Sequence, residues 1–120
     1  MSAVQVEHVL AVVPVREVAS AQDWYARLFG REPDNRPMAT LAEWRVTTAG
    51  WVQVFQDAGR AGTGLLNLAV ADLDAAVAEL RGRGLTPGPV RGASRGVRLV
   101  ALEDPDGNRL SLVGGFRVEY

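Results

Sequence analysis

Residues 8–15, His-Val-Leu-Ala-Val-Val-Pro-Val, form a short and nearly unbroken apolar run rich in β-branched side chains. That pattern predicts a strand covered on both faces. The period then changes. Val18, Ala21, Tyr25 and Leu28 recur at helical spacing, with Glu17 ahead of them as a candidate N-cap and Gly30 behind them as a C′ residue. Residues 31–38, with Pro33, Asn35 and Pro37, read as a loop. Residues 40–47 and 51–56 read as two strands around a Thr48-Ala49-Gly50 turn. Alternation is clearest in the second, where Val52 and Val54 oppose Trp51, Gln53 and Phe55.

After a glycine-bearing linker at 57–63 the plan repeats. Residues 65–70 are an apolar strand, Asp72 a second N-cap, and Leu73, Ala76, Val77 and Leu80 a second helix stripe stopped by Gly82 and Gly84. The run from Val15 to Ala21 aligns with that from Val70 to Ala76 at an offset of 55 residues, counting Glu17 to Asp72. Residues 85–96 form a Gly/Pro loop and 97–102 a strand. Asp104-Pro105-Asp106-Gly107-Asn108 is a tight turn in which Gly107 supplies a positive φ. It feeds a last strand at 109–113, with Arg109, Ser111 and Val113 on one face and Leu110 and Leu112 on the other.

The chain therefore reads as one α+β domain over residues 1–120, built from two modules at about 4–58 and 63–116. Each helix covers one face of its sheet. The opposite faces are expected to bury themselves together and leave a trough between two curved sheets.

Composition narrows the chemistry. There is no cysteine, which excludes disulfides, thiol nucleophiles and thiolate metal sites. The single histidine, His8, has no Gly-x-Ser-x-Gly elbow to serve, so a serine hydrolase triad is not expected. All thirteen basic residues are arginine, which removes lysine Schiff-base chemistry. A formal net charge of −1 gives no reason to invoke nucleic acid. No apolar run is long enough to cross a bilayer, and the start Met1-Ser2-Ala3-Val4-Gln5 has no basic segment followed by an apolar one. A cytoplasmic location is expected. Arg81, Arg83, Arg91, Arg95 and Arg98 lie between Glu79 and Glu103 with no acid among them. They read as a solvated basic edge, from which Arg98, on a strand, could fork onto a ligand carboxylate or phosphate.

The helical Trp24-Tyr25-Ala26-Arg27-Leu28-Phe29-Gly30, the shorter helix ending at Gly84 and the Asp-Pro-Asp-Gly-Asn turn together resemble the vicinal oxygen chelate superfamily of glyoxalase, bleomycin-resistance and extradiol dioxygenase proteins. The resemblance covers nearly the whole chain. It implies two βαβββ modules in a glyoxalase/bleomycin-resistance-like fold with a central trough, and chains that commonly pair as homodimers. Metal-using members take ligands from the first and last strand of each module, positions that fall here on Leu10, Gln53, Leu65 and Ser111. Divalent zinc, nickel or iron needs three or four imidazole or carboxylate donors, and these positions supply one amide, one hydroxyl and two hydrocarbons. No metal or other cofactor is expected. His8 shares the strand face of Leu10 and reads as a pocket-rim or core residue in preference to a displaced ligand.

By alternation, Trp51 and Phe55 flank Gln53 in the trough, Arg109 and Val113 flank Ser111, and His8 and Asn67 share the faces of Leu10 and Leu65. Trp44 could belong to either face of its sheet; Trp24 and Tyr25 read as helix core. Aromatic walls with a few polar points suit a small-molecule pocket. The favoured reading is a metal-independent binding protein, similar to the bleomycin-resistance branch, that holds an apolar or aromatic compound and could sequester a toxic one. The alternative is an enzyme of glyoxalase or dioxygenase type. It would take its metal from a partner subunit or from His8 with Glu7, Glu103 or Asp104, or use His8 in metal-free acid/base work. A ligand-free structural dimer module is the third.

Overall fold

The computed structural model describes residues 3–119, so the first two residues of the N-terminal stretch read above lie outside it. The element order is β1 (Val9–Val15), α1 (Val18–Phe29), β2 (Asn35–Met38), β3 (Leu41–Arg45), β4 (Gly50–Gln56), β5 (Leu65–Val70), α2 (Leu73–Gly82), β6 (Arg91–Gly92), β7 (Arg98–Glu103) and β8 (Arg109–Gly114), with a 3₁₀ turn at Ser94–Gly96. The two halves are built alike. One sheet has the order β1-β4-β3-β2 and the other β5-β8-β7-β6. In each, the first strand runs parallel to the last and the remaining pairs are antiparallel.

Two segments read as loops contribute strands. Asn35–Met38 pairs with β3 as an edge strand, a place where Pro37 breaks no interior ladder. Arg91–Gly92 pairs with β7 as its counterpart.

The helix starts differ as well. Asp72 caps α2, accepting the Ala75 N–H at 3.0 Å. Glu17 sits at the N-cap of α1 but makes no side-chain capping bond. Its carboxylate takes the Ser20 hydroxyl instead, and the Val18 N–H goes to Gln56 Oε1 at 3.2 Å. A glutamate side chain is one methylene too long for the short return that serine or aspartate makes.

Val13, Val15, Val52, Val54, Ala42 and Trp44 from the first sheet and Val100, Leu102, Leu110 and Leu112 from the second bury themselves with Tyr25, Leu28, Leu73, Val77 and Leu80 of the helices in one core. Both helices lie on the same side of the sheets. Arg83 fastens them, its Nη1 donating to the carbonyls of Arg27 and Leu28 at 3.2 and 3.3 Å where α1 runs out of partners. The molecule is a slab 25 Å deep in its thinnest direction, the depth of one layer of sheet and one of helices.

A second fastening joins the sheets near β1 and β5. Tyr25 donates its hydroxyl to Asp104 Oδ2 at 2.6 Å, and fully buried Asn108 donates to Asp104 Oδ2 and to the Pro14 carbonyl, both at 2.7 Å. The Asn108 side-chain oxygen accepts the Gly64 N–H at 2.8 Å. A Cβ at Gly64 would meet that oxygen at 2.8 Å and Pro14 Cδ at 3.1 Å, so glycine is what lets the segments approach. Gly107, at φ +93°, closes the turn with its N–H on the Asp104 carbonyl.

This arrangement corrects two expectations. β1 is covered on one face only: Val13 and Val15 are buried, whereas Leu10 and Val12 are 49% and 54% exposed. The faces opposite the helices do not bury each other within the chain, because the modules meet side by side with their helices in a common layer. Those faces are left open. Among the described residues no helix is long and apolar enough to cross a membrane.

Candidate functional site

Strand alternation and register fix what the open face of the first sheet presents. Reading across β1, β4 and β3, one row is Leu10, Trp51 and Arg45, the next Val12, Gln53 and Glu43, and the third Pro14, Phe55 and Leu41. The Arg45 guanidinium lies over the Trp51 ring, 4.6 Å from its centroid, and His8 meets the same ring edge-on at 5.4 Å. The Trp51 indole N–H is buried without an acceptor among the described residues. Gln53 donates to Glu43 Oε2 at 2.5 Å, and the Glu43 side chain is itself buried. Asn35 stands opposite Glu43. Its amide is best satisfied with the oxygen toward Arg45 Nη2, at 3.2 Å, and the nitrogen toward the Asp34 carbonyl, at 2.9 Å.

On the second sheet the rows across β5, β8 and β7 are Leu65, Arg109 and Glu103, then Asn67, Ser111 and Ala101, then Ala69, Val113 and Leu99. A hollow of about 450 Å³ lies over the first two rows. Arg109 and Glu103 pair loosely across it at 3.8 Å, both largely exposed.

A family model for the glyoxalase-like domain matches residues 10–113. The chain belongs to that family. A solved glyoxalase/bleomycin resistance protein from Catenulispora acidiphila is 30% identical with a TM-score of 0.83, over 89% of this chain and 96% of its own. A bleomycin-binding protein complexed with bleomycin (21% identity, TM-score 0.74, 90% and 97% covered) shares the fold. So does a lactoylglutathione lyase from Agrobacterium tumefaciens (16% identity, TM-score 0.73, 89% and 92% covered). No curated protein matches the sequence.

In this glyoxalase-like domain the four positions implied for metal ligands divide into two pairs. Leu65 and Ser111 line the hollow on the second sheet, which no residue of the first module enters, while Leu10 and Gln53 stand on the first sheet. Their chemistry does not fit a divalent ion, offering one amide and one hydroxyl. Among the described residues no group of three or more His, Asp or Glu stands close enough to hold one.

Two sequence candidates lie away from the open faces of the glyoxalase-like domain. Trp44 is fully buried under α1 against Tyr25 and Phe29, with its indole N–H on the Arg31 carbonyl at 3.0 Å. Its neighbours Glu43 and Arg45 take the open face, so alternation sends Trp44 inward. Arg98 also points to the helix side, where it pairs with Asp74 in the first turn of α2 at 3.2 Å. Gln53, Trp51, Phe55 and His8 share one open face, and Asn67, Ser111 and Arg109 the other.

Glu43 was missed by sequence reading, although the alternation of Leu41, Glu43 and Arg45 against Ala42 and Trp44 carries the signal. Alternation puts it on the open face, and the register adds its pairing with Gln53. A larger cavity of about 540 Å³ lies between the end of α1, β5 and α2, lined by Leu28, Phe29, Leu68, Leu80 and Arg83. Asn67 alone of the candidates reaches its edge.

Proposed function

We propose that this glyoxalase-like domain is a metal-independent binder of a small apolar or aromatic molecule, held on the open sheet faces and kept there by two-fold pairing of chains. One observation carries the reading. Leu10, Val12 and Phe55 are exposed on the open face of the first sheet and Leu65 on that of the second, beside Trp51 and a few polar groups. Exposed apolar side chains grouped on a sheet face support a binding role for it. The division of the site supports pairing: the first module of one chain set over the second module of its partner would join Trp51 and Gln53 to Asn67 and Ser111. The bleomycin-binding and bleomycin-resistance proteins of like fold are consistent with a role in sequestering a toxic compound.

A lyase reading has the fold of the lactoylglutathione lyase in its favour but lacks a donor set at the four ligand positions. The test is native mass spectrometry of the protein as isolated, with metal analysis of the same sample. The reading expects a mass of twice 12.9 kDa, no stoichiometric metal and a bound organic compound or an empty dimer that accepts one. Leu65→Asp, at an 82% exposed position that the monomer does not need, should shift the mass to monomer. A metal-loaded species, or a monomer in the wild type, would overturn it.

A further inference from the structure

Among the described residues the buried polar or charged side chains are Glu43, Asp104 and Asn108. The last two satisfy each other, Tyr25 and the Pro14 carbonyl in the fastening between modules. Glu43 has no such account. It is 6% exposed, on the face proposed to hold ligand, and forms no ion pair among the described residues. Its hydrogen-bond donors are neutral amides, Gln53 at 2.5 Å and, in one of two amide orientations, Asn35 at a long 3.5 Å. A carboxylate offers about four acceptor sites and is costly to bury without a counter-charge. The cation two residues along, Arg45, lies over Trp51 and reaches Asn35.

We infer that Glu43 selects ligands carrying a protonated amine, or an equivalent cationic donor, on an apolar or aromatic body. This rests on the reading of the open face as a small-molecule site and names the ligand class. Register supplies the fit. Glu43 and Gln53 form the polar end of a row whose other member is Val12, with Trp51 and Leu10 on one side and Phe55 and Leu41 on the other. A hydrocarbon body lying on Val12 and Phe55 brings an ammonium to the carboxylate, whose free lone pairs accept its N–H groups. Anions find less. Arg45 is exposed and already stacked, and Arg109 faces Glu103. An exposed guanidinium needs no counter-ion, whereas a buried carboxylate does.

The test is calorimetric titration of the wild type at pH 7 with biphenyl-4-ylmethylamine, biphenyl-4-ylmethanol and biphenyl-4-carboxylate. The amine should bind tighter than the alcohol by about tenfold, the equivalent of one charge-assisted hydrogen bond, and the carboxylate should bind weakest. Glu43→Gln keeps the shape and should erase the amine's advantage, while the alcohol, whose O–H can donate to either side-chain oxygen, should weaken far less than the amine. It should also melt no lower than the wild type, since it removes a buried charge. An amine no better than the alcohol, a preference that survives Glu43→Gln, or a Glu43→Gln protein that melts far lower or does not fold would each overturn amine selection. Alcohol binding weakened by Trp51→Phe would still leave the small-molecule reading standing. No binding by any of the three would remove both.

Discussion

Tyr25 and Asp104 stand 79 residues apart in sequence and 2.6 Å apart in space, the hydroxyl of the first helix on the carboxylate that opens the last turn. Through Asn108 the same carboxylate is tied to Pro14 at the end of β1. The turn thus sets the register of β8 and also joins the modules. Tyr25→Phe leaves one buried oxygen short of a donor and should cost about 1–3 kcal/mol; Asn108→Ala, which removes more bonds, should cost more. Chemical denaturation of both variants checks the order.

The same pair fixes an alkaline response. Burial first, and then the bond to Asp104, raise the Tyr25 phenol above its ordinary 10.0. The unfolded chain ionises near 10 while the folded one stays neutral, so the stabilisation is complete below that pH and is lost as pH rises above it. The slope should be up to about 1.4 kcal/mol per pH unit. Stability profiles from pH 8 to 11 should show Tyr25→Phe falling less steeply than the wild type.

The tryptophans of the neighbouring strands β3 and β4, on opposite faces of the sheet, should respond differently. Trp44→Phe loses a hydrogen bond and core volume under α1, a cost of about 2–4 kcal/mol. Trp51→Phe removes an N–H that has no acceptor among the described residues and should cost less than about 1 kcal/mol. Melting of the two single variants decides it.

Arg98→Ala breaks a pair whose side chains are 45% and 71% exposed, so it should cost less than about 1 kcal/mol. Affinity for biphenyl-4-carboxylate should not change. A large loss of that affinity would return Arg98 to the site.

The repeat, the helix stripes and the face assignment of Trp51, Gln53 and Phe55 were legible because burial on one side leaves a period in the sequence. What was not legible depends on distance between segments. Nothing in residues 8–15 says that one side of this apolar strand is left exposed by the rest of the chain. Leu10 and Val12 look like Val13 and Val15 until the helices are seen to share one layer. Gln56 capping α1 needs the β1–β4 pairing, and the burial of Glu43 needs its register with Gln53. Trp44 required only that alternation be carried along a strand whose charged neighbours already marked the open side.

The central claim, a metal-independent small-molecule site on the open face around Trp51, is tested most directly by tryptophan emission during titration with biphenyl-4-ylmethanol in the presence of a chelator. The neutral alcohol keeps this test separate from the role of Glu43. The account predicts a saturable change that Trp51→Phe abolishes, Trp24→Phe preserves, and the chelator does not affect. A change that persists in Trp51→Phe and disappears in Trp24→Phe, or one that requires added metal, would contradict it.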